Sequence, residues 1–137
     1  MIQEKYQKRL DKARKEKISY MNNTKWFKFF SAIEQLDVFL PQAQIKFLLD
    51  KEIYPFNFGG GFDEKGILDG PNCPFDYKEI EWFFIPALQE YERFNREEKL
   101  QSTFKTVDLP LLVETLKSLG RYEFDIGENG LKLYGYK

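Results

Sequence analysis

Apolar positions recur at intervals of three and four from Asn23 onward. Trp26, Phe29, Phe30, Ile33 and Leu36 share one helical face, with Asn22, Asn23 or Thr24 placed to cap it and Pro41 beyond its end. The same spacing over residues 2–18 is thinner: Ile2, Tyr6, Leu10 and Ala13 form a narrow stripe on an otherwise charged helix. A third helix is predicted after Asp108, its N-cap, with Pro110 in the first turn. Leu109, Leu112, Val113, Leu116 and Leu119 are its buried stripe, and Gly120 ends it. Short apolar runs at 45–49, 80–85 and 103–107 predict strands. The 80–85 run is apolar on both faces apart from Glu81, which makes it central. Residues 87–100 have helical composition and a partial stripe of Leu88, Tyr91 and Phe94, and are read as a helix. Residues 122–126 and 131–134 alternate with period two around an Asn129-Gly130 turn, the signature of a hairpin. The fold class that follows is α+β: a mostly antiparallel sheet with helices packed on one face and a C-terminal β-hairpin.

Length and composition permit a real core. Apolar residues make up 42% of 137 and Phe alone contributes 14, enough for one packed domain. Charge is divided unevenly. Residues 1–20 hold Lys5, Lys8, Arg9, Lys12, Arg14, Lys15 and Lys17 against Glu4, Asp11 and Glu16, a net of +4; with −1 for the whole chain, the rest carries −5. Residues 1–20 therefore read as a basic helical extension and 21–137 as a single α+β domain. The extension is either a solvated helix lying across the body or a nucleic-acid or membrane-surface arm. Its interleaved acids and the acidic body argue against phosphate, so nucleic acid is not the expected partner. No apolar run reaches the roughly 20 residues a membrane span needs, and one cysteine, Cys73, fits a reducing cytoplasm.

Histidine is absent, which removes histidine-based triads, the usual zinc sites and the commonest general base near neutral pH. The stretch Phe58-Gly59-Gly60-Gly61-Phe62-Asp63-Glu64-Lys65-Gly66 invites a phosphate-loop reading that its chemistry opposes. Gly61 and Gly66 have the Walker spacing, but Ile67 and Leu68 stand where Lys and Ser/Thr are required. Glu64 replaces the last glycine of a dinucleotide fingerprint, and Asp63, Glu64 and Asp69 carry the wrong sign for an anion. The EF-hand order fails at Lys65 and Ile67. The expected role is structural: an Ω-like loop over 55–77 pinned by Phe56, Phe58, Phe62 and Phe75.

Glu81 has two readings. In a cleft, with Asp76 or Glu79, it would be an acid or base; paired with Lys46, Lys105 or Lys132 it would be a sheet ion pair. Cys73 lacks the basic surroundings of a nucleophile. Tyr134 and Tyr136 are expected on one side of the last strand, either as interface residues or as ordinary sheet residues.

Asn23-Thr24-Lys25-Trp26 heading a helix, Ile80-Glu81-Trp82 in a central strand, Leu119-Gly120 closing a helix, and Gly130-Leu131-Lys132-Leu133-Tyr134-Gly135-Tyr136 at the end come in a fixed order. Over about residues 21–137 that order resembles a family of small bacterial proteins built on a domain of unknown function. The resemblance implies no activity; by analogy it suggests a neutralising partner of a toxin. The expected function is a non-catalytic protein-binding module of the immunity or antitoxin type, with Asp63, Glu64, Asp69, Glu81, Trp82, Tyr134 and Tyr136 as partner-binding residues. The alternative is a carboxylate- or metal-dependent hydrolase using Glu81 and the loop acids. No catalytic residue, metal ligand or cofactor is assigned.

Overall fold

A computed structural model describes residues 2–36, 40, 42–58, 60–70, 72–95 and 98–137, with Ile2, 91–95 and 98–103 described by backbone alone. Among the described residues three helices and nine strands follow in the order α1 (Ile2–Lys15), α2 (Asn23–Gln35), β1 (Ala43–Phe47), β2 (Ile53–Phe56), β3 (Gly66–Ile67), β4 (Phe75–Asp76), β5 (Ile80–Pro86), β6 (Leu88–Asn95), β7 (Glu98–Thr106), α3 (Leu109–Leu119), β8 (Phe124–Gly127) and β9 (Gly130–Tyr134). Five strands form one antiparallel sheet in the order β2-β1-β5-β9-β8, with the chain's last hairpin at one edge. The fold is α+β, as the periodicity implies. Of the residues singled out in the sequence, Pro41 and Gly59 lie outside the described set.

Both body helices begin as their caps dictate. Asn22 Oδ1 accepts from the Lys25 amide (2.8 Å), and Asp108 Oδ1 accepts from the Leu111 amide (3.1 Å), each satisfying an otherwise orphaned donor. Trp26, Phe29, Phe30 and Ile33 of α2 and Leu112 and Leu116 of α3 are buried against one face of the sheet. Phe83 of β5 is the hub: its ring lies 5.7 Å from Phe29, 5.6 Å from Phe30 and 5.1 Å from Phe56. Burying side chains of this size contributes roughly 1.5–3 kcal/mol each.

The glycine-rich loop is built as its phenylalanines suggest. Phe56 and Phe75 enter the core, while Phe58 and Phe62 pack half-buried against it. Two short pairings give the loop order: β3 with β4, and β2 with β1 at a position within the stretch read as irregular. Gly66 is required there, since a Cβ would stand 2.0 Å from the Phe75 carbonyl oxygen.

One element differs in kind. Among the described residues of 87–100 there is no helix: β6 and β7 make a two-stranded ribbon with Leu88 opposite Thr106 and Glu90 opposite Phe104. Its root holds it in place. Gln89, 1% exposed, accepts from the Gln42 amide (2.7 Å) and donates to the Pro86 carbonyl (2.9 Å), while the Glu90 amide donates to Gln42 Oε1 (2.9 Å). These bonds fix an extended backbone that helical propensity alone opposes.

Candidate partner-binding site

Successive residues of a strand point to opposite faces, so Trp82 and Phe84 lie on the face of β5 that Phe83 and Ile85 do not. Register then assembles the site. Trp82 stands between Lys46 and Tyr134 on the flanking strands, and Phe84 between Gln44 and Lys132. Neither Trp82, Phe84 nor Tyr134 belongs to the core cluster or packs against it. The Lys132 ammonium lies 4.4 Å from the Trp82 ring centre and 5.2 Å from that of Tyr134; Lys137 approaches Tyr134 at 4.6 Å. The result is a half-buried outer face of aromatic rings capped by cations. Tyr134 donates from its hydroxyl to Asp125 Oδ2 (2.7 Å), and that bond, followed by burial, holds the phenol above its ordinary pKa.

Glu81 is an ion-pair residue. Its side chain is 12% exposed, with Oε1 2.8 Å from Lys17 Nζ and Oε2 bonded to Lys46 Nζ. Burial pushes the carboxyl up, but the two ammonium groups outweigh it and the net pKa is below the usual carboxylate value. Of the three lysines weighed from the sequence, Lys46 is the bonded partner, and Lys132 is spent on the aromatic rings. Lys17, from the stretch after α1, could not be foreseen. Asp76 and Glu79 form a reciprocal cap on the short 3-10 turn Tyr77–Glu79.

Tyr136 corrects the expectation that it shares an exposed side with Tyr134. The amides of Gly135 and Tyr136 both donate to the Glu81 carbonyl (2.8 and 3.0 Å), the two-against-one pattern of a β-bulge. Gly135 lets the backbone pass this point, since a Cβ would meet the Ile80 carbonyl oxygen at 2.4 Å. Tyr136 is thereby turned inward, 5% exposed, accepting from Arg14 Nε (2.9 Å) and donating to the Lys78 carbonyl (2.8 Å). Arg14 and Lys17 thus direct two of the basic stretch's cations at the body.

The loop acids lie elsewhere. Asp63 Oδ1 accepts from the amides of Lys65 (2.8 Å) and Gly66 (3.0 Å), a turn-forming role, and its carbonyl accepts from the Tyr77 hydroxyl (2.7 Å). Neighbouring Phe62 packs on Phe27 and Phe30 of α2, on the helix side of the sheet. Glu64 and Asp69 are exposed on the same loop. Burial, then the charge of Asp69, raises the Cys73 thiol pKa, the reverse of what a nucleophile needs. The structure therefore brings Trp82 and Tyr134 together and leaves Asp63, Glu64 and Asp69 on a separate surface. Phe84, and the place of Lys132 on this face, were missed in the sequence, although period two from Trp82 and Tyr134 marks both.

Among the described residues, no group of three or more metal-ligating side chains is placed to hold an ion, and no helix is long and apolar enough to cross a membrane. A family profile described as "Family of unknown function (DUF6678)" matches residues 9–137. The chain belongs to that family. The family match begins inside α1, so it includes Leu10, Arg14 and Lys17 as well as the sheet residues of the outer face. No curated protein and no solved structure matches the chain.

Proposed function

We propose that the chain is a non-catalytic protein-binding module for a partner with a basic surface, acting in the manner of an immunity protein by covering that partner. The observation that carries this reading is the Trp82–Tyr134 pair: two large aromatic side chains opposite one another on the outer face, with Phe84 beside them and none given to the core. Such residues anchor interfaces because they bring large apolar area at a low cost in rotamer entropy. The −5 carried by the residues after 20 supplies the sign of the partner. A hydrolase centred on Glu81 finds less support. A general acid needs a raised pKa, whereas two lysines hold this carboxylate ionised.

The test uses the full chain as bait, followed by purification of the recovered protein and titration against variants. Trp82→Ala and Tyr134→Ala are expected to weaken the complex by about 10- to 100-fold each. Asp69→Lys should cause a smaller loss that shrinks as salt rises. Unchanged affinity in both aromatic variants would sink the proposal.

A further inference from the structure

The five-stranded sheet has two unlike edges. At the β2 edge Pro55 occupies the strand and removes a backbone donor, a device that blunts edges. At the other edge β8, Phe124-Asp125-Ile126-Gly127, has neither proline nor lysine. Its bonding phase is fixed by Tyr134, whose amide donates to the Glu123 carbonyl (2.9 Å). Residues 123, 125 and 127 therefore turn their backbone groups toward β9, and those of Phe124 and Ile126 point away from the sheet. Among the described residues no strand pairs with them.

Side chains beside this edge alternate in chemistry. Phe124 and Ile126 stand in register with the core residues Leu133 and Leu131, so they lie on the helix side; Ile126 is 48% exposed. Asp125 lies on the outer face, in register with Lys132, and Glu123 shares that face opposite Tyr134. The lysines that neutralise this face sit further in: Lys132 over the Trp82 ring, and Lys137 2.9 Å from Glu123 at the chain's end. A strand laid beside β8 would meet apolar side chains on one face and carboxylates on the other.

We propose that β8 is a docking edge for an extended partner segment in which apolar residues alternate with Lys or Arg, added as a further strand of the sheet. The inference rests on the reading of the chain as a protein-binding module and names the chemistry of its partner. A second copy fits less well. Two β8 strands laid side by side would bring Glu123 and Asp125 of one chain against the same acids of the other, and like charges in adjacent strands repel.

The probe is a synthetic peptide alternating valine and lysine, titrated into the full chain while backbone amide NMR signals are followed. Shifts are expected at Phe124 and Ile126. Ile126→Pro should reduce affinity by about tenfold or more, because the missing N–H faces outward and pairing with β9 survives. Asp125→Lys should reduce it in a salt-dependent way, which keeps the test open if the proline variant fails to fold. A peptide alternating valine and glutamate should bind about tenfold more weakly. Equal binding of the two peptides, shifts confined to the outer face, or full binding by Ile126→Pro would overturn the proposal. So would a concentration-dependent dimer abolished by Ile126→Pro, which would assign the edge to a second copy. Trp82→Ala separates the two readings: lost partner binding with no peptide response at β8 leaves the module and removes the edge. The converse leaves the edge and removes the aromatic face.

Discussion

Phe83 and Trp82 are neighbours in β5, yet their side chains have opposite fates. Phe83 is fully buried among Phe29, Phe30, Phe56 and Phe58, held by rings of one helix, one strand and the loop that follows it. Trp82 is only half-buried, its ring met by the Lys132 ammonium and by no core residue. The first arrangement commits apolar area to folding. The second holds it against a cation that can slide aside, so the area remains open to another molecule. Aromatic content alone therefore says little about core size, because one strand supplies both.

The comparison can be broken most sharply at its centre. Phe83→Ala should cost about 3–5 kcal/mol in urea unfolding, whereas Trp82→Ala should cost about 1–2 kcal/mol and lose partner binding instead. Similar stability losses would erase the distinction between the faces. Gly135→Ala, which drives a Cβ against the Ile80 carbonyl, should cost about 2 kcal/mol and expose Tyr136, read as faster quenching of tyrosine fluorescence by a soluble quencher. Glu81→Gln should cost about 1–2 kcal/mol at neutral pH. Because folding lowers the Glu81 pKa, its contribution is complete above the unfolded-state value and disappears as pH falls through the folded one. The variant should thus show a flatter loss of stability in acid than the parent chain. Lys132→Met should have the smallest effect, below about 1 kcal/mol, and should leave partner affinity intact.

Where burial enforces a period, the fold is legible in the sequence. The stripes of α2 and α3, the apolar run of β5 and the alternation of β9 all describe surfaces packed on something, and each forms where the pattern places it. The β6–β7 ribbon escapes because much of what fixes it is polar. Leu88 and Phe104 are 54% and 57% exposed, and the inward residue at its root is Gln89, held by hydrogen bonds to Gln42, just before β1, and to Pro86. A string of Gln, Glu, Arg and Lys then reads as helix by propensity. The candidate site divides in the same way. The Lys46 partner of Glu81 and the Trp82–Tyr134 pair depend on adjacent strands and can be anticipated. The bulge at Gly135, which takes Tyr136 out of the outer face, and the contact from Lys17 depend on long-range geometry that no local pattern encodes.

Pro55 has an effect on stoichiometry. A sheet that can lengthen past β8 but is stopped at β2 has one vacancy, not two. A guest strand fills it, and growth ends there. The complex such a chain forms is finite by construction, a pair in place of a fibre, even at concentrations where a sheet with two open sides would polymerise.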